Sequence, residues 1–242
     1  MQPPVADHPI VIRHHSGGPI QSPALPQAVA ATQVNYAFFK WYSVLCEQGL
    51  QPNVYVLDGG DYAQRNRGSE LESIIYWVED QAGWQFSSGT LAVTTNLFFP
   101  DTGYVVGSDM EFNGVNFSWR AQSVQDGRAY GCTSGSTCFD LDTVALHEAG
   151  HFYGLDHVLC ADAVMFPEAT SSTRRTELRV HERVGICALY PPRNSHVANR
   201  DTLEHCTAAS QCPAQHSCLV RAYEGHSYGW CGKSFTATSQ CP

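Results

Sequence analysis

Several features are scarce or missing in this 242-residue sequence. It has no run of about 18 apolar residues, which is the least that a membrane-spanning helix needs, so we predict no membrane span. It carries 14 basic and 23 acidic residues without long runs of either sign, so it lacks the basic patch of a nucleic-acid-binding protein. Charged residues make up 15% of the chain and hydrophobic residues 43%, which excludes a disordered polyelectrolyte and is typical of a folded globular protein.

Cysteine, by contrast, is abundant, with ten residues. Their spacings fit neither zinc ribbons nor thioredoxin-like motifs, and a reducing cytosol rarely preserves disulfides, so we predict a disulfide-bonded, secreted protein. Cys132 and Cys138 bracket a loop of Gly, Ser and Thr, and Cys160 and Cys187 flank a later segment. We predict that both pairs are disulfides rather than metal ligands, although spacing alone leaves the connectivity open.

Five stretches of β-branched or aromatic residues are bounded by Gly, Pro, Asn or Asp, as strands are. They occupy residues 10–12, 53–57, 73–78, 91–99 and 109–113. Apolar residues at helical spacing between the first two stretches predict a helix over roughly residues 26–46. The first half of the chain therefore predicts a five-stranded sheet and one long helix.

A second helix is predicted where Leu141, Val144 and Glu148 recur at helical spacing, with Asp140 or Asp142 as its N-cap and Gly154 as its end. A third helix over residues 178–189 is closed by Tyr190-Pro191-Pro192, which marks the end of the main domain. We therefore divide the chain into a main domain at 1–192, with 1–9 as a flexible N-terminal segment, a linker at 193–205 and a Cys-rich module at 206–242. The last part is too small to bury a core without disulfides.

Three histidines and a glutamate lie close together at the second helix. His147 and His151 are four residues apart, so their rings project from one helix face and can bind one metal ion. Gly154 can take a left-handed conformation that ends the helix and brings His157 round to the same ion. Three neutral histidines leave a fourth position open for water, which is the arrangement of a catalytic zinc ion.

Glu148 lies beside that open position. A zinc ion lowers the pKa of its bound water towards about 7, and Glu148 can accept the proton and later pass it to a leaving amine. These residues therefore predict zinc-dependent hydrolysis of peptide bonds, with Glu148 as the general base and acid and no serine or cysteine nucleophile.

The run from His147 to His157 resembles the metzincin pattern H-E-x-x-H-x-x-G-x-x-H, and residues 163–167, Ala-Val-Met-Phe-Pro, resemble its Met-turn. The details are most similar to matrixins, particularly bacterial matrixin-like enzymes, over residues 10–191. The resemblance implies an α+β zincin fold of the metzincin type, with a twisted, mostly parallel five-stranded sheet and three main helices. A small disulfide-rich C-terminal module would follow it.

The same resemblance implies roles for further residues. Met165 would form an apolar floor beneath the zinc histidines. A substrate peptide would bind as an extra strand along a sheet edge, and a pocket would receive the residue after the scissile bond. The implied edge spans residues 91–95. The residues implied in substrate binding are Leu91, Ala92 and Val93 at this edge and Val144, Phe166 and Pro167 around the pocket.

Two departures from matrixins affect the metal prediction. Val158 follows the third histidine where matrixins usually have serine, and the strand at 91–99 has no histidine for a second, structural zinc. We therefore expect one catalytic zinc ion. Calcium ions, which matrixins also bind, have no support in this sequence.

Some residues have simpler interpretations. The eight histidines outside the motif are expected at the surface or in loops, and Asp109, Glu111 and Asn113 are expected to face solvent at a strand edge.

The predicted partners are protein or peptide substrates, cleaved by a monomer. The alternative function is a surface- or polysaccharide-binding protein whose Cys-rich tail carries the main role while the protease domain is inert.

Overall fold

The computed structural model describes residues 10–46, 49–63, 72–99, 105–192, 217–223 and 226–232, with the backbone alone for the last two ranges. Its elements, in chain order, are β1 Ile10–His15, α1 Gln27–Tyr42, β2 Val56–Tyr62, β3 Ser73–Val78, β4 Ala92–Phe98, β5 Val105–Asn113, β6 Ser118–Gln122, β7 Ala129–Gly131, β8 Cys138–Asp140, α2 Leu141–Phe152, α3 Val180–Leu189, β9 Ser217–Tyr223 and β10 His226–Gly232. Among the described helices, none has both the length and the apolar character needed to cross a membrane.

The central sheet has five strands in the order β2-β1-β3-β5-β4. Its first three pairings are parallel, and β4 runs antiparallel to β5 at the edge. The sequence of β3, Ser-Ile-Ile-Tyr-Trp-Val, is buried along its whole length, as expected for a strand covered on both faces. The predicted α+β fold with a mostly parallel five-stranded sheet and three helices is confirmed.

The main core lies between one sheet face and the helices. The buried face of α1 contributes Val34, Phe38 and Trp41, which join Met110 and Phe112 of β5 in one apolar cluster. The Trp41 indole also donates a hydrogen bond to the Leu146 carbonyl of α2 at 2.8 Å. The long first helix therefore fixes the depth at which the second helix lies on the sheet.

A small second sheet, in the order β7-β6-β8, was not predicted from the sequence. Its strands have three to five residues, too few for an alternating pattern to stand out. Gly131 is required here: its φ is +91°, and a Cβ would lie 2.0 Å from the Trp119 carbonyl oxygen. Because β8 runs directly into α2, this sheet sets the start of the second helix.

The expectation that Asp109, Glu111 and Asn113 face solvent is wrong. Strand β5 lies inside the sheet, between β3 and β4, and the three residues are only 9%, 3% and 0% exposed. Asp109 accepts a hydrogen bond from the Ile74 amide at 2.9 Å. His14 and His15 were also expected at the surface or in loops, but both are buried in β1.

The predicted Cys132–Cys138 disulfide is confirmed. The pairing of Cys160 with Cys187 is wrong, because Cys187 in α3 is bonded to Cys46, just after α1. Cys46 and Cys187 are 141 residues apart in the sequence. The spacing of cysteines does not predict a pair at such a separation. Cys160 is disulfide-bonded as well.

The proposed N-terminal segment 1–9 and the linker 193–205 lie outside the described residues. Within the Cys-rich module, the backbones of β9 and β10 form an antiparallel pair, with Tyr223 opposite His226.

Candidate metal centre

The second helix presents the first two predicted metal ligands. The Asp140 side chain caps the helix start by accepting a hydrogen bond from the Thr143 amide at 3.0 Å, which replaces a missing backbone partner. One turn apart on the same face, His147 and His151 bring their Nε2 atoms to 3.1 Å from each other. Of the two predicted N-caps, Asp140 is therefore the one that the structure uses.

The third histidine reaches the site through the predicted glycine turn. The helix ends at Phe152, Gly154 has a φ of +90°, and the Leu155 amide donates to the Gly150 carbonyl at 3.0 Å. The reversal places Nε2 of His157 3.2 Å from that of His147 and 3.1 Å from that of His151.

These three nitrogen atoms suit one zinc ion. Zinc binds imidazole nitrogen at about 2.0–2.1 Å, so a single ion can contact all corners of a triangle of this size. The opposite ring nitrogens of two ligands are engaged: Nδ1 lies 2.7 Å from the Val164 carbonyl in His147 and 2.9 Å from the Leu155 carbonyl in His151. An Nδ1–H that donates to a carbonyl leaves the lone pair of Nε2 directed at the metal.

The protonation of His147 also suits metal binding. Burial, with a further contribution from the charge of His151, lowers its pKa to about 3. The ring is therefore neutral near pH 7, and the neutral ring is the form that binds a metal ion.

Glu148 is buried beside the three histidines, with 4% of its surface exposed. Its Oε2 accepts a hydrogen bond from the Thr94 hydroxyl of β4 at 2.7 Å. Burial raises the pKa of Glu148 to about 7, and the hydrogen bonds from Thr94 oppose that rise. A carboxyl group with a pKa near neutral can both take up and release a proton at physiological pH.

The predicted substrate edge lies at the start of β4, which pairs with β5 alone among the strands that the structure describes. Ala92 is buried, and Leu91 packs against the main core. Val93 instead packs against the smaller cluster on the opposite sheet face, so its side chain points away from α2. At this edge, Val93 can therefore offer a peptide its backbone but not its side chain.

Met165 lies against the helix of the zinc motif and is fully buried. A Cβ added to Gly150 would lie 2.3 Å from the Met165 sulfur and 2.7 Å from Cζ2 of Trp41. The Met165 amide donates to Oε1 of the buried Glu182 at 3.2 Å, and its carbonyl accepts from the Val158 amide at 2.9 Å. The Met-turn is thus packed and hydrogen-bonded against the segment that carries the third histidine.

The residues predicted to wall the substrate pocket differ in exposure. Val144 is buried, Phe166 is half-buried and Pro167 is exposed. Arg175 was not predicted from the sequence as part of this region. Its guanidinium lies 5.2 Å from the centre of the Phe166 ring. Arg175 donates to the carbonyls of Ala161 at 3.0 Å and of Glu168 at 2.9 Å, so it joins the two ends of the segment that contains the Met-turn.

Thr94 was predicted only as part of the substrate edge, and its contact with Glu148 was not predicted. Alternate residues of a strand share a face, so Ala92, Thr94 and Asn96 lie on one side of β4. A polar residue on the inward face of a strand needs a polar partner, and here the partner is Glu148. Asn96 likewise donates to the His151 carbonyl at 2.8 Å.

The sequence is similar to a known peptidase family and to individual metalloendoproteinases. The sequence pattern of the matrixin peptidase family matches residues 20–191. Metalloendoproteinase 4-MMP of Arabidopsis thaliana is 27% identical over 154 residues, covering 64% of this chain and 38% of the relative. Metalloendoproteinase 5-MMP of Arabidopsis thaliana is 44% identical over 55 residues, covering 23% and 15% of the two chains. Metalloendoproteinase 1 of Glycine max is 40% identical over 55 residues, covering 23% and 18%. The chain therefore spans less than half the length of these relatives.

Proposed function

Because the chain belongs to the matrixin family of peptidases, we propose that it is a secreted zinc-dependent endopeptidase with Glu148 as its general base and acid. The observation that carries this proposal is the cluster of three histidine Nε2 atoms 3.1–3.2 Å apart, next to one buried carboxyl group. His147, His151 and His157 would hold the metal ion.

When bound, a zinc ion supplies Lewis acidity that activates water and polarises the scissile carbonyl. Glu148 removes the proton from the attacking water, and the same carboxyl group then delivers the proton to the leaving amine. Nδ1 of His147 and of His151 each lies within hydrogen-bond distance of a backbone carbonyl, an arrangement that would direct the lone pair of Nε2 at the metal ion.

A substrate peptide is proposed to add as a strand to the free edge of β4, through the backbones of Leu91, Ala92 and Val93. Main-chain hydrogen bonds of this kind hold a peptide without regard to its sequence. Val144, Phe166 and Pro167 are proposed to surround the residue after the scissile bond; the half-buried Phe166 ring favours an apolar side chain there.

The division into a catalytic domain at 1–192, a linker at 193–205 and a Cys-rich module at 206–242 is part of the proposal. The module would bind a surface or a protein and bring the catalytic domain to its substrate. Secretion is supported by the Cys46–Cys187 and Cys132–Cys138 disulfides, because such bonds persist mainly in oxidising compartments. We propose that the enzyme acts as a monomer.

The test is cleavage of casein, an unfolded protein, by the wild type and by Glu148→Ala. Cleavage should stop with a chelator, return with added zinc, and fall about 100-fold or more in Glu148→Ala, while that variant keeps one zinc per chain. Glu177→Ala, which removes an exposed carboxylate, should match the wild type. Full activity in Glu148→Ala would overturn the mechanism; loss of activity in it would also exclude the alternative of an inert protease domain.

A further inference from the structure

The hydroxyl of Thr94 joins the edge strand of the sheet to the helix that carries the zinc motif. Its Oγ1 lies 2.7 Å from Oε2 of Glu148 and 3.1 Å from the backbone carbonyl oxygen of the same residue. The two residues are 54 positions apart in the chain. The contact therefore depends on the packing of β4 against α2 and not on local sequence.

Thr94 is held in place by regular structure. Strand β4 is paired with β5 from Ala92 to Phe98, and two residues further along it the side chain of Asn96 bonds the His151 carbonyl. Ser108 of β5 in turn donates to the Asn96 amide oxygen at 2.5 Å. Two neighbouring inward side chains of β4 thus attach to successive turns of α2, at Glu148 and His151.

Thr94 orients the Glu148 carboxyl group. Among the residues that the structure describes, it is the only residue that hydrogen-bonds this group, through its hydroxyl at 2.7 Å and through its backbone. The bond fixes Oε2, so rotation about the last side-chain torsion is restricted and Oε1 is left to exchange a proton. A catalytic group gains most when its geometry is fixed before the reaction begins.

A hydroxyl is suited to both protonation states of its partner. Thr94 donates to Oε2 while Glu148 is a carboxylate, and it can keep that bond when Oε1 holds the proton, because Oε2 is then still a hydrogen-bond acceptor. The backbone carbonyl oxygen of Glu148, at 3.1 Å, offers the hydroxyl a second acceptor. Valine has the same shape but can do neither.

We propose that Thr94 is a positioning residue that orients the Glu148 carboxyl group for proton transfer. The inference rests on the proposed endopeptidase function, since it assigns Thr94 a part in the same reaction. Strand β4 would then have two roles: its backbone binds the substrate, and its Thr94 side chain orients Glu148.

The experiment compares Thr94→Val, Thr94→Ser and Thr32→Val with the wild type. In Thr94→Val, kcat should fall about 10-fold to 100-fold, as expected for loss of a hydrogen bond to a charged group, while KM stays unchanged. Thr94→Ser should keep most of the activity because it retains the hydroxyl. Thr32→Val is the control, since the Thr32 hydroxyl also bonds a helix carbonyl, that of Ala28 at 2.7 Å, but on α1.

Two further measurements distinguish a positioning role from a role in zinc binding or in folding. They are zinc affinity, measured by competition with a chelator, and thermal unfolding. Thr94→Val should bind zinc as tightly as the wild type. A raised KM with unchanged kcat, weaker zinc binding, or failure of Thr94→Ser to restore kcat would each overturn the positioning role. If the wild type itself cleaves no peptide, the proposed function fails instead, so the two failures are distinguishable.

Discussion

At the scale of single residues, the tightest packing in the site is at Gly150, between the candidate metal ligands His147 and His151 of α2. The space that a Cβ would need is taken by the Met165 sulfur and by the Trp41 ring, both of which are buried. Neither neighbour can move outward, because Met165 and Trp41 have no exposed surface. The glycine therefore sets how closely the Met-turn approaches the zinc motif.

Gly150→Ala is expected to destabilise the protein by about 1–3 kcal/mol through overpacking. Helix propensity alone would favour alanine by about 1 kcal/mol, so the sign of the change tests the packing argument. Urea unfolding measures it. Gly185→Ala in α3 is the matched control: its Cβ would meet only the end of the Leu155 side chain, which can turn aside. Equal stability changes in both variants would contradict the argument.

The clustering of the three candidate metal ligands could be predicted because their geometry is local. A separation of four on a helix and one glycine with positive φ are enough to bring His147, His151 and His157 together. Thr94 and Glu182 could not be predicted in this way: Thr94 meets Glu148 across 54 positions and Glu182 meets Met165 across 17. Hydrophobic periodicity tells which face of an element is buried but not which element covers it.

At the scale of elements, the start of α3 supports the Met-turn. Glu182, in its first turn, is 1% exposed. One carboxylate oxygen accepts from the Met165 amide at 3.2 Å and the other from the Arg179 amide at 2.7 Å. The second bond caps the helix, since it satisfies a backbone amide that has no partner within the helix. One side chain thus links the beginning of α3 to the Met-turn.

We expect Glu182→Gln to lower the free energy of unfolding by about 1–3 kcal/mol, because the amide NH₂ would face a backbone N–H and leave a buried donor unsatisfied. The Met-turn would loosen, and zinc affinity should fall with it. Chemical unfolding and chelator competition measure the two effects, with Glu177→Gln at an exposed position as the control. Unchanged values for both quantities would show that Glu182 does not hold the turn.

The three helices and the five strands of the main sheet were predictable because each is long enough for its pattern to repeat. β3 was predicted with its observed bounds, whereas β2 begins at Val56 rather than at residue 53. The small sheet escaped prediction because β7 and β8 have three residues each. The burial of β5 depended on strand order, which the pattern of one strand does not contain.

At the scale of the whole molecule, the cysteines relate the two proposed domains. The side chains of Cys46 and Cys187 form one disulfide, and those of Cys132 and Cys138 form another. Cys160 is disulfide-bonded too, and five further cysteines follow Pro192 in the sequence. We therefore predict that Cys160 pairs with one of these five. Because Cys160 comes three residues after His157, the Cys-rich module would be attached beside the metal centre.

Peptide mapping without reduction should therefore recover the Cys160 peptide linked to a peptide from residues 206–242. The Cys132–Cys138 loop serves as an internal control, since it should stay closed within one peptide in the same digest. Recovery of Cys160 as a free thiol, or linked to Cys187, would contradict the assignment. A chain ending at Pro192 should contain one free thiol, detectable with a maleimide after unfolding.

The Cys46–Cys187 disulfide has a consequence for the lifetime of such a protein. An endopeptidase at high concentration is exposed to attack by its own copies, and surface loops are where a protease usually cuts. A single cut anywhere between residues 46 and 187 would leave two fragments that remain covalently joined. All three candidate zinc ligands, the Met-turn and the substrate edge lie within that interval, so a nicked molecule would keep the parts of its active site on one connected chain.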